Sequence, residues 1–255
     1  MSWNPQQYLK FEEPRLRPAV DLLGRVGLTA PRTVYDLGCG TGNVTKLIAA
    51  RWPQAEITGV DDSGAMLAQA AKNLPNLRWV GQSLAHWSAS QPADLVYSNA
   101  ALHWLPQHEQ LFPHLVQQLA PGGVLAVQMP RNFEAPSHTA IAQTVAAGPW
   151  REQLSLMVKP APVAPPQAYY DWLKPLARTL DIWETEYLQV LTGPDAVKEW
   201  TKGTWLKQFL DALEPAAAAD FEAAYAERVR SAYPMRADGS TLFPFRRLFI
   251  VLTRP

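Results

Sequence analysis

The chain of 255 residues has a single cysteine, Cys39, which excludes an internal disulfide framework and a multi-cysteine zinc site. It has no excess of charge of either sign, with 23 Lys and Arg against 23 Asp and Glu. The balance is also local, with 13 basic and 13 acidic side chains between residues 151 and 255. This argues against a binder of nucleic acid or anionic membrane that works by bulk attraction, so an anionic partner needs a specific pocket. Charged residues make up only 18% of the chain, yet 47% is apolar, so global disorder is excluded. No run of about 18 apolar residues occurs, so no membrane span is expected. The opening Met1–Tyr8 has no basic stretch leading into an apolar one, so no secretory leader is read there and a cytoplasmic setting is expected.

What is present is an alternation of strand and helix from Thr33 to Met129. Thr33–Leu37, Glu56–Asp61, Leu77–Gly81, Ala93–Asn99 and Gly123–Met129 read as short apolar strands. Val44–Trp52, a segment from an N-cap at Ser63 to Leu74, and Pro106–Ala120 read as helices, the last stopped by Pro121-Gly122-Gly123. The alternation predicts βαβ units and a parallel sheet buried on both faces. After Pro130 the rhythm changes. Residues 134–157 read as helical, and the proline-rich residues 158–168 read as a stiff extended connector. Asp181–Leu191 alternates like a strand, residues 195–231 give two or three helices, and Leu242–Leu252 reads as a closing strand. Trp150, Trp172, Trp183, Trp200 and Trp205 predict a helical lid with aromatic packing.

The chemistry concentrates in Val34-Tyr-Asp-Leu-Gly-Cys-Gly-Thr-Gly42, between a strand and a helix, where a parallel sheet places its ligand crevice. Glycine lets the backbone turn sharply there and approach a ligand closely. The spacing is G-x-G-x-G, and Asn43 stands where a dinucleotide fingerprint carries its third glycine. Asp36 precedes the first glycine by two residues, and Asp61 ends the next strand, placed to hold ribose hydroxyls. A pyrophosphate would be met by helix-terminal N–H groups, whereas an acid before the turn suits a cationic ligand without phosphate. S-adenosylmethionine, with its ammonium, sulfonium and ribose, fits that description. A nicotinamide-dependent oxidoreductase and a non-catalytic binding module remain as alternatives.

Asp36-Leu-Gly-Cys-Gly-Thr-Gly42 resembles the first motif of the class I S-adenosylmethionine-dependent methyltransferases. More narrowly, the chain resembles the trans-aconitate 2-methyltransferase family. That resemblance lies in Trp3–Leu9, Arg15–Pro18, Ile57–Asp61, Asn99–Pro106, Gly123–Pro130 and Arg247–Val251. It implies an α/β fold with a Rossmann-like seven-stranded sheet, the last strand antiparallel, and a helical cap. The expected division is a helical segment closing the site (1–30), a cofactor-binding core (31–131), a helical cap with the sixth strand (132–240) and the closing strand (241–255). The implied cofactor is S-adenosyl-L-methionine, with S-adenosyl-L-homocysteine as product. Its implied contacts are Arg17, Asp36, Gly38, Cys39, Gly40, Asp61, Asp62, Met66, Ser83, Leu84 and Asn99. Ser83, His103 and Arg131 depart from the family's common residues, where an acid, Gln and Asp are usual.

The implied reaction is methyl transfer to one carboxylate of trans-aconitate, giving a monomethyl ester; malonyl-acyl-carrier or another small-molecule methyl transfer is the alternative. A carboxylate is ionised at pH 7 and needs no general base. No side chain is therefore expected to be chemically indispensable, and positioning falls to Tyr8 and Trp104. Arginine suits a polycarboxylate because its planar fork binds a carboxylate through two hydrogen bonds. Tyr8, Arg15, Trp104, Arg131 and Arg247 are the candidate acceptor contacts, with Arg17 assigned to the cofactor's own carboxylate. Of Arg246 and Arg247, strand alternation lets only one face inward. Cys39 and His103 read as packing residues. No metal is expected, and the chain reads as a monomer.

Overall fold

The computed structural model describes residues 12–255, with side chains from Leu16 onward. The strands are β1 (Thr33–Leu37), β2 (Glu56–Asp61), β3 (Arg78–Gly81), β4 (Ala93–Asn99), β5 (Leu119–Pro130), β6 (Thr179–Thr192) and β7 (Ser240–Thr253). They form a seven-stranded sheet in the order β3-β2-β1-β4-β5-β7-β6. Pairing is parallel from β3 to β5 and antiparallel between β5 and β7. The reversal between β1 and β4 is a topological switch point, where crevices open beyond the carboxyl ends of strands. The central strands are buried on both faces, with Val34, Leu37, Leu95, Val96, Leu125 and Val127 fully enclosed.

The chain falls into two compact units. The sheet unit takes residues 15–130, 162–185 and 247–255, and the helical unit takes residues 12–14, 131–161 and 186–246 among those described. The division is not that of the linear blocks read from sequence. Residues 162–185 return to the sheet unit, and the start of β7 belongs to the helical unit.

In the sheet unit the helices are α1 (Glu12–Gly24, residues 15–24 of it), α2 (Asn43–Arg51), α3 (Gly64–Asn73) and α4 (His108–Gln117). Tyr97 on β4 donates its hydroxyl to the Ala19 carbonyl at 2.7 Å, pinning α1 to the sheet. Ser63 caps α3 by accepting the Met66 amide at 3.4 Å, as the sequence anticipates. The helix read as Pro106–Ala120 is shorter, because Gln107 takes a left-handed backbone (φ 58°) before His108 and Leu119 already pairs with Ala93.

The return of residues 162–185 has a visible cause. The helix α7 (Pro166–Leu173) carries Tyr169, which lies fully buried against Phe112 and His108. Nε2 of His108 meets the Leu102 carbonyl at 2.9 Å, so that nitrogen carries the proton. Nδ1, 2.5 Å from the Tyr169 oxygen, therefore accepts the phenol in the neutral ring. Burial lowers the His108 pKa and keeps the ring in that form. Two of the lid tryptophans also belong here: Trp172 packs on Tyr169, and Trp183 stacks on Phe249 of β7 at 4.8 Å. The stretch read as an extended connector turns helical at Pro166, where proline suits a first helical turn.

The helical unit holds α5 (Pro136–Ala147), α6 (Arg151–Leu154), α8 (Ala196–Lys202), α9 (Lys207–Asp211) and α10 (Pro215–Ala232). Its core joins Trp150, Trp200, Phe209, Phe221, Tyr225, Phe243 and Phe245. Burial of such side chains contributes about 1.5–3 kcal/mol each. Tyr225 shares a 2.9 Å hydrogen bond with Thr201 and donates to the Ser137 carbonyl at 2.8 Å, so the polar tips of this core are satisfied. No described helix is long and apolar enough to cross a membrane.

Candidate active site

The turn after β1 carries three glycines, at 38, 40 and 42, each with a left-handed backbone. Gly38 has φ 73°, and a Cβ there would lie 2.1 Å from that of Ala101 and 3.6 Å from Leu84. Gly42 has φ 82°, and its missing side chain makes room for the Trp79 indole, 2.9 Å from an added Cβ. Gly40 has φ 54°, yet no described heavy atom lies within 4 Å of an added Cβ. Gly38 and Gly42 thus let the protein pack on itself, and Gly40 leaves open space at the tip.

The amides of the turn are engaged within the protein. Gly38 and Cys39 both donate to the Val60 carbonyl, at 2.8 and 3.1 Å, and Gly42 donates to the Cys39 carbonyl at 3.0 Å. Gly40 donates to Oδ2 of Asp61 at 2.9 Å. A pyrophosphate needs a bank of such donors, and this turn has none to offer at these four positions. The turn as built suits a ligand without phosphate. Asp61 also accepts the Ser63 amide on Oδ1 at 2.9 Å. Each carboxylate oxygen accepts one backbone donor and retains capacity for a hydroxyl. Burial raises the pKa of Asp61, while the Ser63 and Gly40 amides hold it down.

Asp36 is 2% exposed and accepts the Thr45 hydroxyl at 2.6 Å. Burial, with a smaller push from the charge of Asp61, raises its carboxyl to about 7 against the pull of Thr45. Cys39 is buried and its thiol is pushed far up by burial and by these two acids, so it is an inert packing residue.

The register connects these residues to others across the sheet. Asp36 pairs with Gly59 and Tyr97, Asn99 with Gln128, and Gln128 with Phe249. Paired residues share a face, and so do residues two apart along a strand. Asp61, Asp36, Asn99, Gln128 and Arg247 therefore stand on one face, in the order β2, β1, β4, β5, β7, the first four near the carboxyl ends of their strands and Arg247 within β7 opposite Pro130, where β5 ends. Two carboxyls occupy one end of this row, two amides the middle and a guanidinium the other end. Gln128 is fully buried and Arg247 is 4% exposed, with Arg247 Nη1 donating to Gln128 Oε1 at 3.4 Å. Among the described residues, Asn99 Oδ1 and Gln128 Nε2 are buried without a hydrogen-bond partner. Such a group costs about 1–3 kcal/mol when left unmet.

Of the other expected contacts, Leu84 adjoins Gly38, Met66 lies buried in the first turn of α3, and Asp62 and Ser83 are exposed. Arg17 is exposed on α1. Trp104 is half-buried and tilts against the buried His103 at 4.6 Å. Arg246 is exposed and Arg247 buried, as strand alternation requires. Arg131 belongs to the helical unit, where its amide donates to the Arg246 carbonyl at 2.9 Å. Tyr8 lies outside the described residues, as does the side chain of Arg15. Gln128 is the site residue that the sequence reading missed. The available signal was a lone amide in an otherwise apolar strand, Gly-Val-Leu-Ala-Val-Gln-Met.

Sheet order, switch point and glycine turn define a class I methyltransferase fold. A family model described as a methyltransferase domain matches residues 34–123. The fold is shared with a solved structure from Galdieria sulphuraria described as a sarcosine dimethylglycine methyltransferase. That match has a TM-score of 0.59 at 14% identity, covering 99% of this chain and 91% of that one. A Haemonchus contortus phosphoethanolamine N-methyltransferase 2, solved with S-adenosyl-L-methionine, gives a TM-score of 0.56 at 15% identity over 94% of this chain and 53% of that one. At such identities the likeness concerns the fold alone. A trans-aconitate 2-methyltransferase of Azoarcus sp. strain BH72 is 47% identical over 99% of both chains. The chain belongs to the trans-aconitate 2-methyltransferase family.

Proposed function

We propose that this protein transfers a methyl group from S-adenosyl-L-methionine to a carboxylate of trans-aconitate, giving a monomethyl ester and S-adenosyl-L-homocysteine. One observation carries the reading: the polar row across the sheet is sorted by charge. Asp61 and Asp36 suit a cationic donor with a ribose, and Arg247 suits an anionic acceptor. The relatives' name supports the choice of acceptor.

The bound cofactor supplies an electrophilic methyl on a sulfonium. Asp61 holds the ribose hydroxyls, Gly40 lets the cofactor approach the backbone, and Arg17 takes the cofactor's carboxylate. Asp62, Met66, Ser83, Leu84 and Asn99 line the remainder of the cofactor's bed. The acceptor carboxylate is already ionised, so the chain's work is to bind, align and exclude water rather than to remove a proton. Trp104 walls the acceptor, and Arg247 supplies the positive charge at the acceptor end of the row. The reading includes a monomeric chain in the cytoplasm.

The test is a methyl-transfer screen with labelled S-adenosyl-L-methionine over trans-aconitate, cis-aconitate, citrate, isocitrate and malonyl thioesters. Transfer to trans-aconitate with the highest kcat/KM is the expected result. Preference for a malonyl thioester would overturn the acceptor assignment, and transfer to none would overturn the reaction.

A further inference from the structure

We infer that Gln128 is the residue that reads the acceptor carboxylate, and that Arg247 acts on the acceptor through Gln128 by fixing which end of its amide is presented. This rests on the methyl-transfer reading above and assigns the acceptor contact within it.

The argument begins with the amide's orientation. A guanidinium has donors only, so the Gln128 atom facing Arg247 Nη1 must be the carbonyl oxygen. The two ends of a glutamine amide often cannot be told apart, but here a charged neighbour decides between them. The NH2 end is therefore the one turned away from Arg247, and it has no hydrogen-bond partner among the described residues. Gln128 is wholly buried in a central strand whose other side chains are apolar. A buried amide half held and half unmet is an unusual expense in a core, and it points to a ligand that accepts a hydrogen bond.

Position identifies the ligand class. Gln128 pairs with Asn99, one strand away, at a spacing of roughly 4.8 Å. The backbone after Asn99 turns at Ala100, whose amide bonds the Gln128 carbonyl at 2.9 Å, and reaches Ala101 over Gly38 of the turn. Gln128 thus adjoins the cofactor loop on the side leading to Arg247. An acceptor oxygen bound there is met by a neutral N–H donor backed by a positive charge. That arrangement selects an anionic oxygen without forming a tight ion pair with the atom that must react. A carboxylate directly paired to arginine would be a poorer nucleophile than one held by an amide.

The experiment measures steady-state methyl transfer to trans-aconitate together with S-adenosylhomocysteine affinity and thermal midpoint. The proteins are wild type, Gln128→Met, Gln128→Glu, Arg247→Met and the Gln128→Met/Arg247→Met double variant. Gln128→Met should raise the acceptor KM at least tenfold, with S-adenosylhomocysteine affinity within twofold of wild type. Gln128→Glu keeps the shape and the Arg247 contact but turns an acceptor oxygen to the substrate, so its KM should rise further. If Gln128→Met fails to fold, Gln128→Glu alone decides. The double variant should match Gln128→Met in KM, because Arg247 acts through the amide. Multiplied effects of the two changes would place Arg247 directly on the acceptor and overturn its role as a positioning residue. Active wild type with an unchanged KM in Gln128→Glu would overturn the assignment of Gln128. Absence of transfer by wild type would instead overturn the underlying reading, and this inference with it.

Discussion

The Gly40 amide donates to Asp61 Oδ2 across 2.9 Å, tying the tip of the glycine turn to the end of the next strand. One carboxylate thereby shapes the loop and, with its remaining lone pairs, is available to a ribose. Asp61→Ala removes both functions and should weaken S-adenosylhomocysteine binding by about 1–3 kcal/mol, read by calorimetry. Asp61→Asn keeps one acceptor oxygen and should lose less. Equal affinity in Asp61→Ala and wild type would remove Asp61 from the cofactor site.

The glycines of the turn should separate by substitution. Gly38→Ala drives a Cβ into that of Ala101 and forces a left-handed alanine. The expected destabilisation is roughly 2–5 kcal/mol, and Ala101→Gly in the same chain should recover the overpacking share. Gly40→Ala meets no described atom, so only about 1–2 kcal/mol of stability should be lost. Its cofactor affinity should nevertheless fall more than tenfold. Thermal melts and binding titrations on both variants check the contrast.

The pH response of Asp36 has a definite sign. Its folded carboxyl titrates near 7, above the unfolded value, so the folded state holds the extra proton between about pH 4 and 7. Stability from this group is full below that window and is lost as pH rises through it. His108 and His138 titrate low when folded, His138 near 4, and change stability in the opposite direction. The wild-type profile is therefore flattened, and the difference between wild type and Asp36→Asn isolates Asp36. Asp36→Asn should gain thermal midpoint over wild type on going from pH 5 to pH 8. A cation bound beside Asp36 favours its ionised form, so S-adenosylmethionine affinity should rise with pH through 7 in wild type and stay flat in Asp36→Asn.

Tyr97→Phe tests how the sheet holds α1. Loss of its 2.7 Å bond to the Ala19 carbonyl leaves a buried acceptor unmet and should lower stability by about 1–3 kcal/mol. Arg17 on that helix is assigned to the cofactor's carboxylate, so the same change should weaken cofactor binding, and so should Arg17→Ala.

The glycine turn and its two acids were legible in the sequence because their signals are local. A glycine turn after an apolar strand, an acid two residues before it and another at the next strand's end are read within 30 residues. The N-cap at Ser63 is local too, and so is the alternation that lets only one of Arg246 and Arg247 face inward. Gln128 was not legible, because its meaning comes from Arg247, 119 residues away, and from a register that only strand order β5-β7 creates. The return of residues 162–185 escaped for the same reason. Tyr169 is one more aromatic in the sequence until His108 accepts its hydroxyl. Pro121-Gly122-Gly123 read as a helix stop, yet Leu119 already pairs with Ala93, and Gly122 turns left-handed to bond the Arg254 carbonyl.

The most direct test of the account is a parallel titration of the purified protein with S-adenosylhomocysteine and with NAD and NADP. The turn's amides at 38, 39, 40 and 42 are engaged within the fold, so the account predicts saturable binding of the first and none of the pyrophosphate nucleotides. Tight binding of a pyrophosphate nucleotide, with S-adenosylhomocysteine ignored, would contradict it.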